Sequence, residues 1–246
     1  MKKKNKITVA ILGGIIITAA AICILLLYNG ILWFNNPSKT KFPVRGIDVS
    51  VYQGVIDWTV LSKQGIHFAY IKATEGSSFV DEKFMTNFEN AQKTDLLVGA
   101  YHFFSYDSSG LTQADNFISV VPRIEKMLPP VVDVEFYGDR EKNPLSKTDT
   151  QVILTVLLNK LENYYGIRPI IYATQRSYEL YIKDSYQDYS IWIRNVFMKP
   201  YLGDHREWTI WQYSNREKLQ GYAGEEKFID MNVFHGSLEE LYNLVQ

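Results

Sequence analysis

From residue 43 onward, short runs of continuously apolar residues alternate with longer stretches in which apolar residues recur every three or four positions. The short runs are 46–50, 68–74, 97–103, 131–135, 169–173, 190–194, 209–213 and 229–234. Most are apolar on both alternating sets of positions, as strands covered on both faces in a parallel sheet are. Helical spacing fills several of the gaps: 57–64 with Trp58 and Leu61, 81–93 with Phe84 and Phe88, then 112–126, 148–165 and the closing 238–245. Asp81 and Thr148 stand where helix N-caps are expected, and Gly166 where a C-cap is. After the fifth strand the helical signal weakens and the strands crowd together. This order predicts an α/β fold: an irregular (β/α) barrel of the TIM type, with eight strands and fewer helices in the last third.

The first forty residues follow a different pattern. Lys2, Lys3, Lys4 and Lys6 form a basic cluster, and no charge occurs from Ile7 to Tyr28. Such a run matches the ~20 residues that cross a bilayer as a helix, and it exceeds the ~7–15-residue core of a secretory signal. The lysines keep the N-terminus in the cytoplasm by the positive-inside rule. The expected layout is a cytoplasmic tail at 1–6, a transmembrane signal anchor at 7–28, a polar linker at 29–42 and an extracellular domain at 43–246. Cys23 is the only cysteine and follows Ile22, not the small residue that a bacterial lipid-attachment signal wants. It reads as part of the span, so the outer domain has no disulfide and depends on core packing.

Charge sharpens this division. Six of the 26 Lys and Arg residues lie within 1–41 and none of the 27 Asp and Glu residues does, leaving 20 basic against 27 acidic beyond, a net −7. A domain of that sign is a poor partner for nucleic acid. Its roughly 205 residues are enough for one sizeable core.

The run from Pro129 to Phe136, Pro-Pro-Val-Val-Asp-Val-Glu-Phe, carries the most specific chemistry. On a strand, Asp133 and Glu135 point to one face while Val132 and Val134 point to the other. Two carboxylates with Cα atoms roughly 6.5–7 Å apart can shift each other's ionisation, giving an acid beside a base. That is the equipment of glycosidic bond cleavage; a strand ending in a polar loop is the alternative. In barrels of this type the site lies at the strand ends. Reading the other strands in order gives Asp48, then Lys72 and Glu75, then Tyr101 and His102, then Tyr172, Trp192, Gln212 and Asp230. Carboxylates from three strands converge among aromatic residues, which suit the apolar face of a sugar ring. His102 reads as a hydrogen-bonded structural histidine, and Lys72 and Glu75 as rim contacts. The four histidines form no metal-binding spacing, and there is no Gly-x-Ser-x-Gly elbow or phosphate loop, so no metal or cofactor is expected.

The chain resembles glycoside hydrolase family 25, the Chalaropsis-type lysozymes. The residues that carry the resemblance are Arg45 to Ser50 (RGIDVS), Tyr52-Gln53-Gly54, Asp57-Trp58, Ile71 to Gly76 (IKATEG), Gly99 to Phe103 (GAYHF), Pro130 to Glu135 (PVVDVE), Ile210 to Ser214 (IWQYS) and Ile229 to Asn232 (IDMN). One departure is Arg194, where the family pattern has alanine after Trp192-Ile193. The resemblance implies hydrolysis of the β-1,4 bond between N-acetylmuramic acid and N-acetylglucosamine in peptidoglycan. It implies Glu135 as general acid and Asp133 as nucleophile or as partner of a substrate acetamido nucleophile, the substrate-assisted, retaining version being favoured. Asp48 and Asp230 would support that pair, with Tyr101, Tyr172, Trp192, Gln212 and Glu75 binding the glycan. The alternatives are a non-catalytic peptidoglycan-binding protein on the same barrel, and a wall-opening component of a secretion or conjugation assembly.

Overall fold

The computed structural model describes residues 2–33 and 35–245, with side chains from residue 8 onward. The chain divides into two units between residues 34 and 35. The first holds one helix, α1 (Lys2–Tyr28). Its stretch Thr8–Tyr28 is 21 residues long with a mean hydropathy of 2.8. It is apolar all round and long enough to cross a bilayer.

The second unit is a closed barrel. Its strands are β1 (Arg45–Val49), β2 (Phe68–Glu75), β3 (Phe79–Val80), β4 (Leu97–Phe103), β5 (Val131–Val134), β6 (Ile170–Thr174), β7 (Ile191–Arg194), β8 (Ile210–Glu217) and β9 (Ile229–Phe234). Eight close the ring in the order β1-β2-β4-β5-β6-β7-β8-β9, with β9 pairing back onto β1. The two-residue β3 folds back on the end of β2. Helices α2 (Trp58–Leu61), α3 (Phe84–Ala91), α4 (Gly110–Val120) and α5 (Lys147–Tyr165) cover the first part. After β6 come only the short α6 (Gln175–Ser177) and a π-helical turn, and α7 (Leu238–Tyr242) follows β9. The thinning of helices in the last third is as the pattern predicts.

Three expectations need correction. Parallel pairing holds from β1 through β8, but β9 is antiparallel to both neighbours. Residues 218–228 form no helix, and without a crossover a strand returns to its neighbour's edge antiparallel. Helix starts also differ. The Ser146 hydroxyl caps α5 in place of Thr148, while Asp81 accepts from Val51 N at 2.7 Å and Lys83 N at 2.9 Å, tying the β1 loop to α3. Gly166 does end α5, at φ 75°. Residues 35–42, expected as linker, pack on the barrel. Asn35 donates to Tyr213 O at 2.9 Å, Arg45 reaches Pro37 O and the Tyr213 hydroxyl, and the Phe42 ring lies 5.7 Å from Trp208 and 6.2 Å from Trp211. This strap covers the outward face of β8 where no helix does.

Side-chain alternation splits the core in two. Outward residues such as Ile47, Ile71, Val132, Ile171 and Ile193 pack beneath the helices. Inward residues Phe68, Tyr70, Leu97, Val131, Ile170, Trp192, Ile210 and Phe234 fill the barrel, and Leu241 of α7 belongs to the same cluster. Glycine makes room for the largest rings: a Cβ on Gly46 or Gly99 would stand 2.3 Å from the ring of Phe68 or Tyr70. The apolar plug ends one layer below the rim, and polar side chains take over there.

Candidate active site

That polar layer opens into a cleft of about 440 Å³ lined by Asp48, Tyr101, Asp133, Glu135, Tyr172, Trp192, Gln212 and Asp230, with Lys72 and Arg194 also in its wall. Eight of the nine catalytic and substrate-binding residues expected from the sequence are thus together. Glu75 is the exception. Its carboxylate is 44% exposed and pairs with Lys72 Nζ at 2.7 Å. Lys72, on the inward-facing set of β2 with Phe68 and Tyr70, lines the cleft in its place.

Asp48 and Asp230 face each other across the antiparallel β1–β9 pair. Reversal of β9 explains why Asp230, near the start of its strand, reaches the rim at which the parallel strands end. Two amides hold this pair. Gln212 Nε2 donates to both oxygens of Asp48 at 3.0 Å and approaches Asp230 at 3.4 Å, while Asn232 Nδ2 donates to Asp48 at 2.6 Å. Each amide is itself oriented. The Tyr172 hydroxyl donates to Gln212 Oε1 at 3.1 Å and the Trp192 indole N–H to Asn232 Oδ1 at 2.8 Å, which turns both NH₂ groups toward Asp48. Tyr172 and Trp192 pack edge to face at 5.0 Å and are buried, so they build the floor. Burial raises both carboxyl pKa values. The charge of Asp48 raises Asp230 further.

The second pair is held differently. Asp133 lies in β5 and Glu135 directly follows the strand, which ends at Val134 and not at the expected Glu135. Asp133 Oδ1 is buried without a hydrogen-bond partner. Burial first, then the charges of Glu135 and Asp48, push Asp133 well above the ordinary carboxylate range. Burial likewise raises Glu135, against the lowering effect of Arg194 and Lys72. The backbone beyond Glu135 is anchored by its next two residues. Phe136 stacks on Tyr106 at 6.1 Å, and the Tyr137 hydroxyl accepts from Tyr106 N and donates to Asp107 at 2.8 Å. An aromatic cluster therefore fixes the backbone next to Glu135, and Glu135 itself lines the cleft.

His102 is fully buried between Thr74 and Gln113, at 2.7 and 3.1 Å, and burial lowers its pKa to about 4. It is a neutral structural histidine, as expected. Among the described residues no group of three His, Cys, Asp or Glu is arranged to hold a metal ion. Asn232 was not among the expected site residues, although Asp230-Met231-Asn232 shows the same alternation that singles out Asp133 and Glu135.

Comparison with known proteins agrees with this fold. The sequence profile described as "Glycosyl hydrolases family 25" matches residues 47–222. A family 25 glycosyl hydrolase structure from Bacillus anthracis superposes with a TM-score of 0.81 at 53% identity, over 85% of this chain and 96% of that one. Lysozyme M1 of Streptomyces globisporus is 31% identical over 225 residues, 85% of this chain and 73% of its own. The uncharacterised YegX of Escherichia coli K12 is 34% identical over 223 residues, 89% of this chain and 79% of its own.

Proposed function

The chain belongs to glycosyl hydrolase family 25, and we propose that it is a membrane-anchored muramidase cutting peptidoglycan between N-acetylmuramic acid and N-acetylglucosamine. The observation that carries this reading is the Asp133–Glu135 pair at the end of β5, facing one cleft with Asp48 and Asp230. Glu135, raised by burial, holds a proton and passes it to the glycosidic oxygen as the bond to C1 of muramic acid breaks. The acetamido carbonyl oxygen of the same sugar attacks C1 and forms an oxazoline-like ring. Asp133, with an oxygen lacking a partner, accepts the acetamido N–H and stabilises the positive charge that develops. Water, deprotonated by Glu135, then opens the ring, and the two displacements retain configuration at C1. Asp48 and Asp230 hold the sugar at the floor, and Tyr101 borders it.

In this reading α1 crosses the cell membrane with the barrel outside, where peptidoglycan is, and the tether limits where cutting occurs. The full-length chain in detergent should release reducing ends from purified peptidoglycan without added metal, with N-acetylmuramic acid at the new reducing end by mass spectrometry. N-acetylglucosamine there would mean another bond is cut. Protease applied to wall-stripped cells should destroy the barrel and leave α1 in the membrane fraction. A soluble form beginning near Asn35 would instead make α1 a cleaved signal.

A further inference from the structure

The cleft wall holds two cations in contrasting states. Lys72 is committed: its Nζ pairs with Glu75 at 2.7 Å and lies 4.8 Å from the centre of the Phe103 ring. Arg194 ends β7 at the rim, in register with Thr174 of β6 and Gln212 of β8. It is half-buried. Its charge acts on Asp48, Asp133, Glu135 and Asp230, yet its guanidinium has no ion pair or hydrogen bond among the described residues. Asp48 is served by the amides of Gln212 and Asn232, and Gln212 also approaches its neighbour Asp230 at 3.4 Å. A guanidinium kept in a ligand cleft with its fork of donors unspent is suited to an anion brought by the ligand.

We propose that Arg194 is a specificity-determining residue that receives a carboxylate carried by the muramic acid unit of the substrate. The proposal rests on the muramidase reading and narrows it. Muramic acid differs from glucosamine by a lactyl ether on O3. On bare glycan that group ends in a free carboxylate; in intact wall it is amide-linked to a stem peptide that brings carboxylates of its own. Both sources offer the planar, two-oxygen anion that a guanidinium binds in parallel hydrogen bonds.

Three substrates separate the sources: bare glycan oligomers with free lactyl carboxylates, the same oligomers converted to the neutral lactyl methyl amide, and peptide-bearing glycan. Full-length wild type, Arg194→Ala and Arg194→Lys are compared in detergent by kcat and KM. The expected result for Arg194→Ala is a loss of about tenfold or more in kcat/KM, mostly through KM, on whichever substrate carries the recognised carboxylate. On the neutral amide the loss stays within about twofold, and lysine restores part of the difference because it keeps the charge without the fork. Loss confined to bare glycan assigns the lactyl group, and loss confined to peptide-bearing glycan assigns the stem. Equal loss on all three substrates would make Arg194 a balancing charge for the cleft carboxylates and overturn the proposal, as would no loss on any. Turnover of the neutral amide by the variants also shows that they fold. A wild type inactive on all three would sink the muramidase reading and this one with it.

Discussion

Asp48 and Asp230, on antiparallel neighbours β1 and β9, sit among amide donors that are themselves fixed by Tyr172 and Trp192. Asp133 and Glu135, at the end of the parallel strand β5, share the same cleft, and Asp133 keeps a buried oxygen with no partner. A carboxylate surrounded by donors is a finished piece of structure. One buried without them is costly to the fold and gains its partners only when a ligand arrives. The floor pair reads as scaffold and the β5 pair as chemistry, and the division can be tested one residue at a time.

The largest effect should come from Glu135→Gln, which keeps size and position and removes the transferable proton. Turnover is expected to fall at least ~100-fold with a near-unchanged melting temperature. A fully active variant would remove Glu135 from the mechanism. Asp133→Asn comes next, with a loss of about 10²-fold in kcat, since an amide cannot stabilise the charge of the oxazoline-like ring. A slow fluorinated sugar separates the two possible roles of Asp133. Intact-protein mass spectrometry should find no covalent sugar on it, whereas an ester at Asp133 would make that residue the nucleophile and leave the hydrolase assignment standing.

Much of this site could be read from the sequence because period-2 alternation applies residue by residue. Asp133-Val134-Glu135 gives the acid pair without any knowledge of the rest of the barrel. The same rule applied to Asp230-Met231-Asn232 would have found Asn232, since both side chains share a face. Strand direction was not legible: nothing local in Ile229–Phe234 distinguishes a parallel from an antiparallel strand, and the helix-free connection 218–228 was the only available signal. Glu75 is a different case: counted by twos from Tyr70 and Lys72 it falls on the other face, so alternation alone separates it from Lys72. Residues 35–42 look like a linker in composition, yet Phe42 is 4% exposed. Its partners Trp208, Trp211 and His235 lie far along the chain, where local pattern does not reach.

On the floor, the expected balance between activity and stability is reversed. Asn232→Ala removes one donor to Asp48 and leaves the Trp192 N–H without its partner. The cost should be roughly 1–3 kcal/mol of stability, the usual penalty for stranding buried polar groups, with a loss of only about tenfold in kcat/KM. Denaturant melts beside kinetics on one glycan substrate read both quantities. A stable variant with activity as low as Glu135→Gln would place the floor pair in the chemistry and dissolve the distinction.

The smallest effect concerns stability against pH, and its sign follows from the direction of the shifts. Folding raises the carboxyl pKa values of Asp48, Asp133, Glu135 and Asp230. Between the unfolded value, about 4, and each raised value, the folded chain holds more protons than the unfolded one. Unfolding free energy therefore falls as pH rises across that window. The contribution of these groups is complete below the unfolded pKa and is lost as pH climbs through the folded ones. Asp107, Asp204 and Glu240 are shifted downward and act with the opposite sign, so variants are compared with wild type at each pH and the whole curve is not read alone. Asp133→Asn removes one group that must otherwise be ionised, or hold a proton, without a partner. It should melt ~2–4 °C above wild type near pH 8, about 1 kcal/mol for a domain of this size. The gap should narrow toward pH 4 and close below it, where the wild-type carboxyl becomes protonated in both states. A gap that is constant with pH would mean that asparagine simply packs better there, and that the cost of keeping Asp133 without a partner is not electrostatic.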